Sequence, residues 1–205
     1  MSKPVGDCDF SPMLISMKQD LKQASLLLEH IVNEFDQEQH CFLGEFQRIS
    51  LMIADVQTRA ATFYLSCYLS PYTSKYTDLA LCVRNLADRR HGALIVVERT
   101  DPLDPQLQGG TSIRADINAA LLESIFYPGS TLHDGAVLIR SDQIISAKNI
   151  LPLSRTAELS PKRGTRHRAA VGLSEQSDAI VLVVSEETGD ASFAIKGQLF
   201  PLYTH

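Results

Sequence analysis

Between Leu14 and Cys67 apolar residues recur at steps of three and four, and beyond Pro71 that spacing stops. The first seam is Leu14, Met17, Leu21, Ala24, Leu28, Ile31 and Phe35. The second is Phe42, Phe46, Ile49, Ile53, Val56, Ala60, Phe63 and Cys67. Such steps put each set on one face of an amphipathic helix. Only the polar break Asp36-Gln37-Glu38-Gln39-His40 separates them, so the two helices fold back as an antiparallel hairpin. Residues 1–10 read as a loose end. Pro71 stops the second helix, and Pro71–Tyr76 reads as a linker, so residues 1–70 form a hairpin unit and residues 77–205 a separate domain.

After the linker, helical and strand patterns alternate unevenly. Thr77 caps a helix over Asp78–Arg90 that ends near Gly92. Ala93–Glu98 is a short continuous apolar run, as in a strand covered on both faces. A polar loop runs on to Gly109-Gly110. Asp116–Phe126 reads as a helix stopped by Pro128-Gly129. Val137–Arg140 and Ile144–Leu151 flank a turn at Ser141-Asp142-Gln143, and residues 154–163 form a loop. Thr165–Leu173 is a short helix, and Ala179–Ser185 and Ser192–Leu199 are strands around Glu187–Asp190. The expectation is an α/β (α+β-like) fold: a mixed central sheet flanked by helices and preceded by the helical hairpin.

The net charge of −5 argues against a general nucleic-acid binder, and no apolar run approaches the roughly 20 residues of a membrane span. The first residues are too polar for a signal peptide. Cys8, Cys41, Cys67 and Cys82 lack paired spacing and read as reduced thiols of a cytoplasmic protein.

Two stretches carry chemistry. In Leu132-His133-Asp134-Gly135-Ala136-Val137 an acid and a glycine stand at the mouth of an apolar run. A carboxylate beside bare backbone suits a metal ion and the hydroxyl it activates, although Asp-Gly is equally a turn signal. In Gly164-Thr165-Arg166-His167-Arg168-Ala169-Ala170 two arginines flank a histidine, which suits phosphate oxygens; a solvated basic surface has the same composition.

With Gly92–Val96, Ile150–Ser154 and Val184–Gly189, these stretches make five ordered blocks from about Thr77 to Pro201 that resemble the diadenylate cyclase (DAC) domain family. The two-helix N-terminus looks like that of the sporulation-type branch, which lacks membrane helices. The resemblance implies condensation of two ATP molecules into cyclic di-AMP, with release of two pyrophosphates and a requirement for manganese or magnesium. One domain would hold one ATP, so two must face each other in a homo-oligomer, with a hexamer as one form.

Carried over residue by residue, Asp134 would hold the metal and polarise the attacking hydroxyl. His133 and Glu187 are further metal candidates. Arg166, His167, Arg168 and Thr165 would bind the triphosphate. Gly135 and Ala136 would allow close approach of the nucleotide, Leu151 would contact the base, and Ser185 phosphate or base. The competing expectation is a regulator of the same fold that binds ATP or cyclic di-AMP without turnover. The hairpin is expected to restrain the cyclase, against the plainer role of an assembly arm.

Overall fold

The computed structural model describes residues 11–35, 41–154 and 164–203. The loose end, the polar break at 36–40 and nearly all of the 154–163 loop lie outside them. Residues 7–63 form one compact unit and residues 64–205 another.

In the first unit, α1 (Ser11–Glu34) and the start of α2 (Leu43–Leu69) form the expected pair of helices. Their shared core is narrower than the two seams. Ala24, Ile31, Phe42 and Ile49 are buried, with Leu27 and Met52 against them. Within this cluster Ala24 and Ile31 stand seven apart, as do Phe42 and Ile49, the spacing of a single coiled-coil position. The seam residues three or four positions from them, Leu21, Leu28, Phe46 and Ile53, stay half-exposed. Phe35 stacks on Phe42 at 5.9 Å between ring centroids, close to the turn between the helices. Arg59 pairs with Asp20 and Asp55, and the Asp20 hydrogen bond comes first in raising its pKa.

The second unit is built on a seven-stranded sheet of order β2-β4-β3-β1-β5-β6-β7. At its centre β1 (Ala93–Val97) lies parallel to β3 (Ala136–Arg140) and antiparallel to β5 (Ile180–Val184). All five residues of β1 and of β5 are buried, as the continuous apolar runs require when helices cover both faces. One face, through Leu94, Val96, Val181 and Val183, meets Ala169, Ala170 and Leu173 of α5 (Thr165–Gln176). Side chains alternate along a strand, so Ile95 and Leu182 point the other way. On that side α3 (Tyr76–Asp88) packs against β5 and buries Leu79, Cys82, Val83 and Leu86.

Several elements differ from expectation. α3 starts one residue before Thr77, with Lys75 at the cap and no side-chain cap bond. The left-handed residue after it is Arg90, at φ 54°, and not Gly92. The expected polar loop before Gly109-Gly110 continues as an edge strand, β2 (Gln108–Asp116), almost wholly exposed and paired with β4 (Gln143–Ile150). The following helix therefore begins later, as α4 (Ala119–Ile125), with the Asn118 side chain accepting from the Ala120 and Leu121 N–H groups. The single strand expected over 192–199 is two, β6 (Ala191–Ile195) and β7 (Gln198–Tyr203), joined by a turn in which Lys196 and Gly197 both have positive φ.

Cys41 and Cys82 are free thiols. Burial, with a smaller contribution from Glu123, pushes the Cys82 pKa up to about 12, so that thiol is inert. Cys67 is disulfide-bonded, against the reading of four reduced thiols. None of the described helices is long and apolar enough to cross a membrane.

The stretch read as a linker is tied down. Thr73 is buried, and its hydroxyl donates to Asp142 at 2.8 Å. The Ser74 N–H and hydroxyl donate to the same carboxylate, each at 2.7 Å. Asp142 thus fastens the entry of α3 to the β3–β4 turn. The Ser74 hydroxyl first, then that of Thr73, hold its pKa below the ordinary 3.8. A carboxyl lowered on folding stabilises the folded state above its unfolded pKa, and loses that effect as pH falls through the folded one. Asp142→Asn is therefore expected to lower Tm at neutral pH, with the gap to the parent closing below about pH 4. Melting curves across pH check this; a gap that stays constant into acid would show that charge has no part in the anchor.

Candidate active site

A cavity of about 650 Å3 opens at one edge of the sheet. The chain directions explain why motif residues meet there. β1 and β3 begin at this edge, whereas β4 and β5, running the other way, end at it. The cavity wall therefore takes Leu94 from β1, Asp134 and Gly135 from just before β3, Ile150 and Leu151 from the end of β4, and Ser185 to Glu187 after β5. The first turn of α5 closes it with Thr165, Arg166 and His167, so backbone N–H groups of a helix start stand on the wall.

Gly135, at φ 114°, is where backbone must approach backbone. A Cβ there would lie 2.9 Å from the Asn149 carbonyl oxygen and from the Lys148 Cα. Asp134, beside it, is exposed, and among the described residues nothing bonds to its carboxylate. Arg166 lies over Gly92, where a Cβ would come 2.8 Å from its Cζ. Its Nη1 donates to Glu186 at 2.7 Å, which leaves Nε and Nη2 for a ligand. His167 is buried in the same helical turn. The Ser185 hydroxyl accepts from the Thr188 N–H at 3.3 Å and so belongs to the β5–β6 turn.

The structure thus brings Asp134, Gly135, Leu151, Thr165, Arg166, His167, Ser185 and Glu187 to one cavity. It places three of the sequence-derived residues outside the lining. Ala136 is fully buried in β3, where its carbonyl accepts from Asn149 Nδ2 at 2.8 Å. Arg168 is bound to the segment after β4: its backbone carbonyl accepts from the Ser154 N–H at 3.0 Å, and its Nη2 reaches the Ser154 carbonyl at 3.4 Å. The His133 Nδ1–H donates to the Ser130 carbonyl at 2.5 Å, so Nδ1 is committed to the turn before Asp134. Sequence reading missed Lys148 and Asn149 in the wall, and gave Ile150 no role beyond its place in the Ile150–Ser154 block. A β-bulge places the first two, and bulges leave no local sequence pattern.

Among the described residues no three of His, Cys, Asp and Glu gather as a metal cage. Asp134 and Glu187 nevertheless line one cavity. Magnesium-type ions are commonly held by one or two carboxylates, with substrate phosphates completing the shell, so this oxygen donor set fits magnesium or manganese.

A carboxylate, an arginine and a helix start lining one cavity at the ends of the central strands offer binding groups for a phosphorylated ligand. Comparison with known proteins narrows the class. Residues 80–199 match the family model DAC, described as DisA bacterial checkpoint controller nucleotide-binding, and residues 7–72 match the diadenylate cyclase CdaS N-terminal model. The chain is 51% identical to diadenylate cyclase CdaS of Bacillus thuringiensis, covering 92% of this chain and 94% of that protein. It is 47% identical to cyclic di-AMP synthase CdaS of Bacillus subtilis, over 92% and 88%. A crystal structure of a Bacillus cereus protein, described as a hypothetical membrane spanning protein, superposes with a TM-score of 0.78 at 50% identity, over 93% and 94%. The chain belongs to the diadenylate cyclase family, and its two segments match the two segments of the CdaS type.

Proposed function

We propose that this chain is a diadenylate cyclase that joins two ATP molecules into cyclic di-AMP and releases two pyrophosphates. The observation that carries the reading is the bare Asp134 carboxylate on the Gly135 backbone, set in one cavity with Arg166 and the start of α5. In each half-reaction a 3'-oxygen bonds to the α-phosphorus of the other nucleotide, the bond to the bridging oxygen breaks, and pyrophosphate leaves. Asp134 orients the 3'-hydroxyl and draws its proton. Arg166 and the α5 N–H groups bind the triphosphate and stabilise the charge that develops on it. Leu151 packs against the base, and Ser185 donates its hydroxyl to phosphate or base. Manganese or magnesium would be held by Asp134 and Glu187, with phosphate oxygens completing the shell; when bound it polarises the hydroxyl and neutralises phosphate charge. Each cavity serves one ATP, so two copies of the chain face each other in a homo-oligomer. A cytoplasmic setting, where ATP is made, belongs to the same reading. Purified protein given ATP and manganese should yield a new cyclic dinucleotide on anion exchange, with two pyrophosphates per ring. Bound but unchanged ATP would instead mark a regulator.

The N-terminal helices are part of the proposal. Their half-exposed apolar residues, Leu21, Leu28, Phe46 and Ile53, exceed what the hairpin buries in itself. The hairpin acts as a restraint that holds a closed assembly, such as a hexamer, in a poorly productive arrangement. Leu65 and Leu69 are buried parts of the second unit, so the informative deletion removes residues 1–63 and not 1–70. That deletion is expected to shrink the assembly and raise the rate of product formation per subunit, with light scattering and product measured on one sample. A smaller, folded and slower protein would leave the assembly role standing and refute the restraint.

A further inference from the structure

Lys148 stands out in the cavity wall. On β3, Ala136 and Leu138 are two residues apart, while their partners on β4, Asn149 and Ser146, are three apart. The extra residue makes a β-bulge, and within it Lys148 takes φ 62°. Left-handed backbone is unfavourable for a side-chain-bearing residue other than Asn or Asp. Glycine or asparagine would form the same bulge with less strain. The bulge backbone lies directly on Gly135, the residue after Asp134.

The charges of the wall give the lysine a use. Among the described lining residues the acids are Asp134, Glu186 and Glu187, and the fixed cations are Lys148 and Arg166. Arg166 already spends one edge on Glu186. Lys148 is exposed and, among the described residues, its side chain has neither an ion pair nor a hydrogen bond. A triphosphate entering this wall meets more negative than positive charge, and Lys148 is the unpaired cation that can offset it. An ammonium on a flexible stem binds phosphate as a point charge, without the fixed geometry an arginine fork demands.

We propose that Lys148 is a further phosphate-binding residue, held in strained backbone at the bulge so that its ammonium reaches the triphosphate of the bound nucleotide. The proposal rests on the cyclase reading above. It predicts opposite signs for stability and affinity. Lys148→Gly and Lys148→Asn relieve the strain, so their Tm should equal or exceed that of the parent. Loss of one charge-assisted contact should nonetheless raise the KM for ATP about tenfold or more. The KM of the parent should climb with added salt more steeply than that of either variant. Lys148→Arg keeps the charge and should restore most of the affinity.

The test measures Tm, ATP turnover and the salt dependence of KM on the full chain with manganese, with Arg166→Ala alongside. A Lys148→Gly protein with the parent's KM and salt slope, beside a weakened Arg166→Ala, would overturn the proposal and leave the cyclase reading intact. A Lys148→Gly protein that melts well below the parent would overturn it too, because the lysine would then be serving the fold. A parent protein that neither binds nor converts ATP would overturn the cyclase reading itself and this proposal with it.

Discussion

Asp134→Asn is expected to reduce cyclic di-AMP formation by at least about a hundredfold, the scale on which single electrostatic groups act in catalysis. The side chain is exposed at the cavity edge with no protein group bonded to its carboxylate among the described residues. Replacing it therefore costs the fold nothing, and Tm should not change. Asparagine keeps the shape but loses the charge that draws a proton or holds a hard cation. Product measured by anion exchange, with a melting curve on the same preparation, checks both halves. Near-normal turnover by a folded variant would sink the assignment.

Gly172→Ala is expected to be the most damaging change to stability. In an ordinary helix interior this substitution is worth up to about 1 kcal/mol in the favourable direction. Here α5 crosses the segment after β4 so closely that a Cβ would press on the Pro152 carbonyl oxygen and the Ser154 nitrogen, and lie 2.6 Å from the Leu153 carbonyl carbon. These are backbone atoms and cannot swing aside. Overpacking of this kind costs roughly 1–3 kcal/mol and at times more, so a fall in Tm of about 5–10 °C should follow. The same contact joins two walls of the cavity, Leu151–Leu153 and Thr165–His167, so ATP binding should weaken as well. Gly44→Ala is the matched control, since nothing lies within 4 Å of a Cβ there and its helix should tolerate or welcome it. Equal melting temperatures for the two variants would show that α5 can shift without penalty.

How much of this was legible in the sequence follows from which signals are local. The helical seams and the buried runs of β1 and β5 announce themselves, because one face or both faces must be apolar. β2 does not, because an edge strand exposed on nearly every residue has no alternation to read. β7 hides behind Pro201, which a ladder tolerates only near an edge. In the site, Asp134, Arg166 and His167 sit in stretches whose composition already suggests chemistry. Lys148 lies in an unremarkable strand and enters the cavity only through a register shift, and Gly172 matters only because of a crossing made by distant residues. Asp142 reads as a turn residue, which it is. Its second role depends on Thr73 and Ser74, far away in the chain.

The two flanks of the sheet bear on how copies of the chain can meet. At one end β2 carries Gly109 and Gly110 at positive φ and a register break with Arg114 at φ 54°. At the other, β7 includes Pro201, which has no N–H to donate. Broken register and a missing donor both discourage strand addition. Neither flank is a template for a second sheet, so side-by-side polymerisation through backbone ladders is disfavoured from both directions. In the proposed homo-oligomer, contacts between copies would then fall to side chains and loops, the kind of contact that can bring two cavity mouths together and let them part again.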